Sequence, residues 1–211
     1  KNLDTLRLRG ARALSGAIFS GLAGLTKLRV VEITGAHHNC GTLDGLRASA
    51  GTLRELTVDS CLGLEGDLSV LEHCADLECF SAAECRGLAG GLEPLARCAR
   101  LEVLDVCCCS GMSGTLRPLE GLRNLKAVVL RGSRAEPARW RGPLPASLFA
   151  NLDEHSKTST IDLYFCPSLE GVLAALNRHE DVICDPDHVA AERRALAARR
   201  ERDATAAARA A

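Results

Sequence analysis

A chain of 211 residues with 46% apolar and 25% charged side chains has the balance of a folded protein with a sizeable core, which excludes intrinsic disorder. Its formal net charge of −1 gives no general pull toward nucleic acid or an anionic membrane, and no apolar run reaches the roughly 18 residues of a membrane helix. Aromatics are only 3%, so the core must be packed mainly with Leu, Val and Ala, which suits many small repeated layers.

Glycines mark a repeat. Gly16, Gly41, Gly66, Gly90, Gly114, Gly142 and Gly171 are followed two residues later by Ile18, Leu43, Leu68, Leu92, Leu116, Leu144 and Leu173, at intervals of 25, 25, 24, 24, 28 and 29 residues. Each unit opens with a short strand whose paired inward positions are Leu6/Leu8, Val31/Ile33, Leu56/Val58, Phe80/Ala82, Leu104/Val106, Val128/Leu130 and Ile161/Leu163. All are apolar, and the period of two predicts strands with the intervening residues facing out. The units Leu53 to Asp76, Leu77 to Arg100 and Leu101 to Asn124 share the form L-x-x-L-x-V-x-x-C-x-x-L-x-G-x-L-x-x-L. Self-similarity at this period predicts a solenoid whose units stack into one continuous core.

The sixth unit is stretched. Between Leu130 and Leu144 it holds the run Ser133 to Arg141, and its far side extends through Asn151 to His155. Trp140, the only tryptophan, has two readings of equal weight: a plug for the gap that the insertion makes, or an anchor for a partner, since Trp and Arg dominate interface hot spots. At the far end, Asp185-Pro186 is a helix start, with Asp as N-cap and Pro at the first helical position. The run of Ala, Arg and Glu that follows predicts a solvated helix carrying only Val189 and Leu196 as an apolar stripe. The expected organisation is a seven-unit solenoid over 1–178 with its N-terminal cap missing, then a C-terminal cap and helix over 179–211. The chain opens inside a repeat with no cap and no signal peptide in view, so it is expected to be a piece of something longer.

The repeat resembles the leucine-rich-repeat family, whose pattern L-x-x-L-x-L-x-x-N/C-x-L is met across residues 3 to 176. The 24-residue length and the L-x-G-x-L segment resemble the plant-type subclass, whose form Leu144-Pro145-Ala146-Ser147-Leu148 copies closely. Cys74 and Cys98 resemble the cysteine-containing subclass of intracellular F-box proteins. The resemblance implies an α/β solenoid with a curved parallel sheet of about seven strands and a C-terminal helix. It also implies that Ala11, Ala36, Cys61, Cys85, Cys109, Ser133 and Cys166 stand where the chain turns out of each strand, a position whose small polar side chain, where there is one, bonds neighbouring backbone as a ladder.

The eleven cysteines recur at fixed places in the repeat, which points to reduced structural thiols rather than a disulfide framework. No C-x-x-C pair exists and zinc spacing is absent. His37-His38-Asn39-Cys40 has ligand-like composition without the three or four converging groups a metal needs. Asn2, Asn39, Asn124, Asn151 and Asn177 all lack Ser or Thr two residues on, so none is a glycosylation acceptor. These features favour an intracellular location, cytoplasmic or nuclear. There is no P-loop, no G-x-S-x-G and no H-E-x-x-H, so neither catalysis nor a cofactor is expected.

Function is expected on the outward strand face. The candidate partner-binding residues are Glu32, Glu55, Asp59, Glu84, Asp105, Arg131, Trp140, Asp162 and Tyr164. Glu55, Asp59, Glu84 and Asp105 are read as lying at one register in adjacent units, an acidic strip flanked by arginine that suits a basic peptide or helix. The leading function is a non-catalytic protein–protein interaction scaffold within a larger assembly. The substrate-recognition part of a ubiquitin ligase comes second and a surface-receptor ectodomain third. No membrane partner is expected, and nucleic acid only through the arginine-rich C-terminal helix.

Overall fold

The computed structural model of the protein describes residues 2–14, 16–38, 40–150, 160–176, 182–184, 186, 189–190, 193–194, 197–198 and 202. The far-side extension Asn151 to His155, with Leu196, Arg199 and Arg200, lies outside the described residues. Of the tail, Pro186, Val189, Ala190, Arg193, Arg194, Ala197, Ala198 and Arg202 are described, and all are helical.

In chain order the strands are β1 (Thr5–Leu8), β2 (Val30–Ile33), β3 (Gly41–Thr42), β4 (Glu55–Thr57), β5 (Leu64–Glu65), β6 (Cys79–Ser81), β7 (Val103–Asp105), β8 (Ser113–Thr115), β9 (Ala127–Val129), β10 (Arg139–Pro143), β11 (Thr160–Leu163), β12 (Leu169–Glu170) and β13 (Val182–Cys184). One parallel sheet runs β1-β2-β4-β6-β7-β9-β11-β13, one strand per unit. Its partners stack as Leu6, Val31, Leu56, Phe80, Leu104, Val128, Ile161 and Val182. From the second unit to the seventh, both inward residues of every strand are buried. Leu6 and Leu8, in the end layer, are only partly buried. The eighth strand was not expected, and it lies past residue 178.

Opposite the sheet the chain turns through short 3-10 helices, among them Ser69–His73, Glu93–Arg97 and Arg117–Gly121. Pro94 and Pro118 stand at the start of the last two, where a missing N–H costs nothing. Leucines from this side, such as Leu71, Leu95 and Leu119, meet the strand leucines in a continuous core.

The ladder residue works as a thiol donor. Cys61, Cys85, Cys109 and Cys166 reach the carbonyl oxygens of Ile33, Val58, Ala82 and Leu130, each in the preceding unit, at 3.1, 2.8, 2.9 and 3.2 Å. Burial pushes Cys109 and Cys166 up to about 12, so both keep the S–H that the bond needs. Ser133 departs from the expected ladder. The insertion begins there, and its hydroxyl instead accepts the Glu136 N–H at 3.0 Å.

The turn also needs a left-handed residue just before the ladder position. Gly10 and Gly35 supply it at φ 62° and 70°, but Ser60, Glu84, Cys108 and Phe165 adopt it at 53° to 61°. An L-residue there carries a Cβ clash that glycine lacks. Cys108→Gly is therefore expected to stabilise the protein by about 0.5–1 kcal/mol, the relieved clash less the added freedom of the unfolded chain. Urea unfolding of the two proteins checks this, with Cys108→Val expected to shift the midpoint the other way.

On the second side, pairing follows a fixed offset. Gly41 pairs with Leu64, Gly66 with Leu88, Gly90 with Met112, Gly114 with Trp140 and Gly142 with Leu169. Trp140 is thus the unit's L-x-G leucine, written W-x-G, and it is only 2% exposed.

Candidate partner-binding face

The outward residues of the sheet form three rows. The first holds Thr5, Val30, Glu55, Cys79, Val103, Ala127 and Thr160. The second holds Arg7, Glu32, Thr57, Ser81, Asp105, Val129 and Asp162. The third lies two residues further on, with Arg9, Thr34, Asp59, Ala83, Cys107, Arg131 and Tyr164. This arrangement corrects the expected common register. Glu55, Asp105 and Asp59 stand in three different rows, and Glu84 sits beyond the third row in the left-handed turn. Two residues further along a strand the side chain returns to the same face but lies ~6.6 Å further on, so residues at different outward positions share the face and not the row.

The candidates also differ in how free they are. Glu32 is held by Arg9, which donates from Nε and Nη2 (the latter at 3.0 Å), and by Arg7 at 3.3 Å. The Arg9 hydrogen bond, with the charges of Arg9 and Arg7, keeps its carboxyl below the ordinary range. Asp59 accepts the Ser81 hydroxyl at 2.6 Å and the Ala83 N–H at 2.9 Å, which ties the end of β4 to the next unit. Glu84 accepts the Ser60 hydroxyl at 3.0 Å. Glu55 is exposed. Trp140 is a core residue, so the anchor reading for it is corrected: it packs inside the second side and offers no surface to a partner.

Asp105 accepts the Cys107 N–H at 2.9 Å. Burial, with the negative charges of Asp59 and Asp162, holds its carboxyl above the ordinary range despite that bond. A raised folded pKa means that the native state binds the proton more tightly than the unfolded chain. Stability is then gained on acidification through the window between the ordinary carboxylate value and the raised one, and lost as pH rises through it. Asp105→Asn keeps an oxygen for the Cys107 N–H and removes the titration. The expected result is that urea midpoints measured across this window lose that part of their pH dependence in the variant.

The sixth and seventh units bring together the remaining candidates. Arg131 lies 3.7 Å from Asp162 and its guanidinium sits 5.2 Å from the centre of the Tyr164 ring. Tyr164 meets Phe165 edge to face at 4.6 Å, and Asp162 accepts the Tyr164 N–H at 3.0 Å. Phe19, Phe80 and Trp140 are buried and Phe149 packs against the core, whereas Tyr164 and Phe165 are half-buried at the surface. Phe165 was not among the candidates; its place beside the only tyrosine was the signal.

Among the described residues no group of three or more His, Cys, Asp or Glu is placed to hold a metal ion. His37 and His38 are exposed, while Cys40 is buried and donates to the His38 carbonyl oxygen at 3.0 Å. No helix among the described residues is long and apolar enough to cross a membrane.

No protein-family model matches the chain, and no curated protein does. Among solved structures, the leucine-rich-repeat ectodomain of the receptor kinase SOBIR1 from Arabidopsis thaliana is similar with a TM-score of 0.53 at 21% identity, over 68% of this chain and 74% of that one. The plant peptide hormone receptor RGFR1 in complex with RGF2 aligns at a TM-score of 0.36 and 17% identity, over 74% of this chain and 33% of that one. The ectodomain of the Arabidopsis thaliana membrane receptor kinase GASSHO1/SCHENGEN3, in complex with CASPARIAN STRIP INTEGRITY FACTOR 2, aligns at 0.40 and 18%, over 76% and 24%. The expected intracellular location is corrected and not carried further: the solved structure that shares the fold, that of SOBIR1, is a receptor-kinase ectodomain. The recurring cysteines had pointed the other way, but Cys61, Cys85, Cys109 and Cys166 are explained by the ladder bonds they make. By its stacked parallel strands and its likeness to a solved ectodomain, the chain has the leucine-rich-repeat fold.

Proposed function

We propose that the protein is a non-catalytic binding scaffold that holds a protein or peptide partner against the outward face of its sheet, centred on β7, β9 and β11. The observation that supports this most is the exposed corner of Arg131, Asp162, Tyr164 and Phe165. Half-buried aromatics beside an arginine are the side chains most often found at the energetic centre of an interface, and they lose little freedom on binding. The rigid sheet beneath them is already ordered, so a partner meets a pre-organised surface. The N-terminal part of the face is less suited, because Glu32 is already satisfied by Arg7 and Arg9.

The test is partner capture with the double variant Arg131→Ala, Tyr164→Ala, beside Arg97→Ala on the opposite side. Loss of the partner in the first with retention in the second supports the reading; equal retention in both overturns it. A receptor ectodomain takes second place, favoured by the shared fold of the SOBIR1 ectodomain. The ubiquitin-ligase alternative rested on the resemblance of Cys74 and Cys98 to the cysteine-containing subclass, and in the structure both are buried core thiols.

A further inference from the structure

Around Val129 the face has a layout that no single residue reveals. Asp105, Val129 and Asp162 are direct register partners on β7, β9 and β11. Val129 is therefore flanked by two carboxylates, each one strand spacing of ~4.8 Å away. Val103 and Ala127 lie beside it in the first row and are half-buried, which extends an apolar floor. Arg131 and Tyr164 form the wall on the third-row side, and Arg131 is committed to Asp162 and to the tyrosine ring.

The charge balance of this region is one-sided. The outward rows from β4 to β11 carry Glu55, Asp59, Asp105 and Asp162 against Arg131 as their one cation. Asp59 is occupied by Ser81 and Ala83 and Asp162 is shared with Arg131. Asp105 has the Cys107 N–H and, among the described residues, no cationic partner.

Resting on the partner-binding reading above, we propose that the slot over Val129 receives a lysine or arginine side chain from a basic peptide segment of the partner, with its apolar stem on Val103, Ala127 and Val129 and its charged head at Asp105. Long basic side chains combine an apolar stem with a cationic tip, which matches a floor of valine and alanine bordered by carboxylates. A neutral side chain seated there would strip water from Asp105 without replacing it, and an acidic one would face the carboxylates of Asp105 and Asp162. Over β1 and β2 the same peptide would meet Arg7 and Arg9, so the basic segment is expected to lie across β4 to β11 and stop short of the first unit.

The experiment selects a displayed library of random twelve-residue peptides on the full chain and measures the affinity of the winners by fluorescence anisotropy. The expected winners are rich in Lys or Arg. Asp105→Asn, which keeps the acceptor for Cys107, should weaken them about tenfold, equivalent to ~1.4 kcal/mol. Val129→Lys, which fills the slot with a tethered ammonium, should weaken them as well. Winners without a basic excess, or basic winners that bind Asp105→Asn as tightly as the unaltered chain, would overturn the slot. If Arg131→Ala with Tyr164→Ala removes binding while Asp105→Asn does not, the face stands and the slot falls. If no peptide is enriched, or none of these variants alters binding, both fall.

Discussion

Trp140→Ala is expected to destabilise the protein by about 3–5 kcal/mol, the cost of emptying a large buried site in a core that repacks only in part. Trp140 takes the leucine place in the L-x-G segment of the sixth unit, facing Gly114, and is 2% exposed. The loss should appear as a lower urea midpoint with or without a partner present. An interface anchor would give the opposite pattern, unchanged stability with weakened binding. Because Trp140 is the only tryptophan, its fluorescence follows unfolding of the unaltered chain alone, and far-ultraviolet circular dichroism follows the transition in all the proteins compared. Trp140→Leu, which restores the repeat's usual residue, should recover part of the loss.

Asp59→Ala is expected to cost about 2–3 kcal/mol, although its side chain lies on the outward face. Its oxygen accepts both the Ser81 hydroxyl and the Ala83 N–H, and hydrogen bonds to a charged acceptor each contribute about 1.5–3 kcal/mol. Removing it leaves two half-buried donors to find water. Asp59→Asn, which keeps one carbonyl oxygen, should cost less. Urea unfolding of the three proteins orders them, and equal midpoints would reduce Asp59 to a solvated charge. Charge reversal at Asp59 is accordingly a poor probe of binding, since a lost partner would report a weakened fold.

The strands were legible because two apolar positions per unit repeat with period two, and a one-residue slip would expose every one of them. Trp140 was legible too, had Trp140-x-Gly142 been aligned with Leu64-x-Gly66 and Met112-x-Gly114 rather than counted as part of the insertion. The rows of the outward face were harder to read. Glu55, Asp105 and Asp59 sit at the first, second and third outward positions of their strands, so closeness in pattern hid a separation in space. Hydrogen bonds such as Asp105 to the Cys107 N–H depend on side-chain rotamers and turn geometry, which carry no periodic signal. The eighth strand, Val182–Cys184, has neither the repeat glycine nor a ladder residue to announce it.

The binding role of the C-terminal half of the sheet is the central claim, and site-directed photo-crosslinking tests it most directly. A photoreactive amino acid is placed at Val129, between Asp105 and Asp162, and in a separate protein at Arg97, on the opposite side. A crosslinked partner is expected from Val129 and none from Arg97. Crosslinking from Arg97 with none from Val129 would contradict the claim.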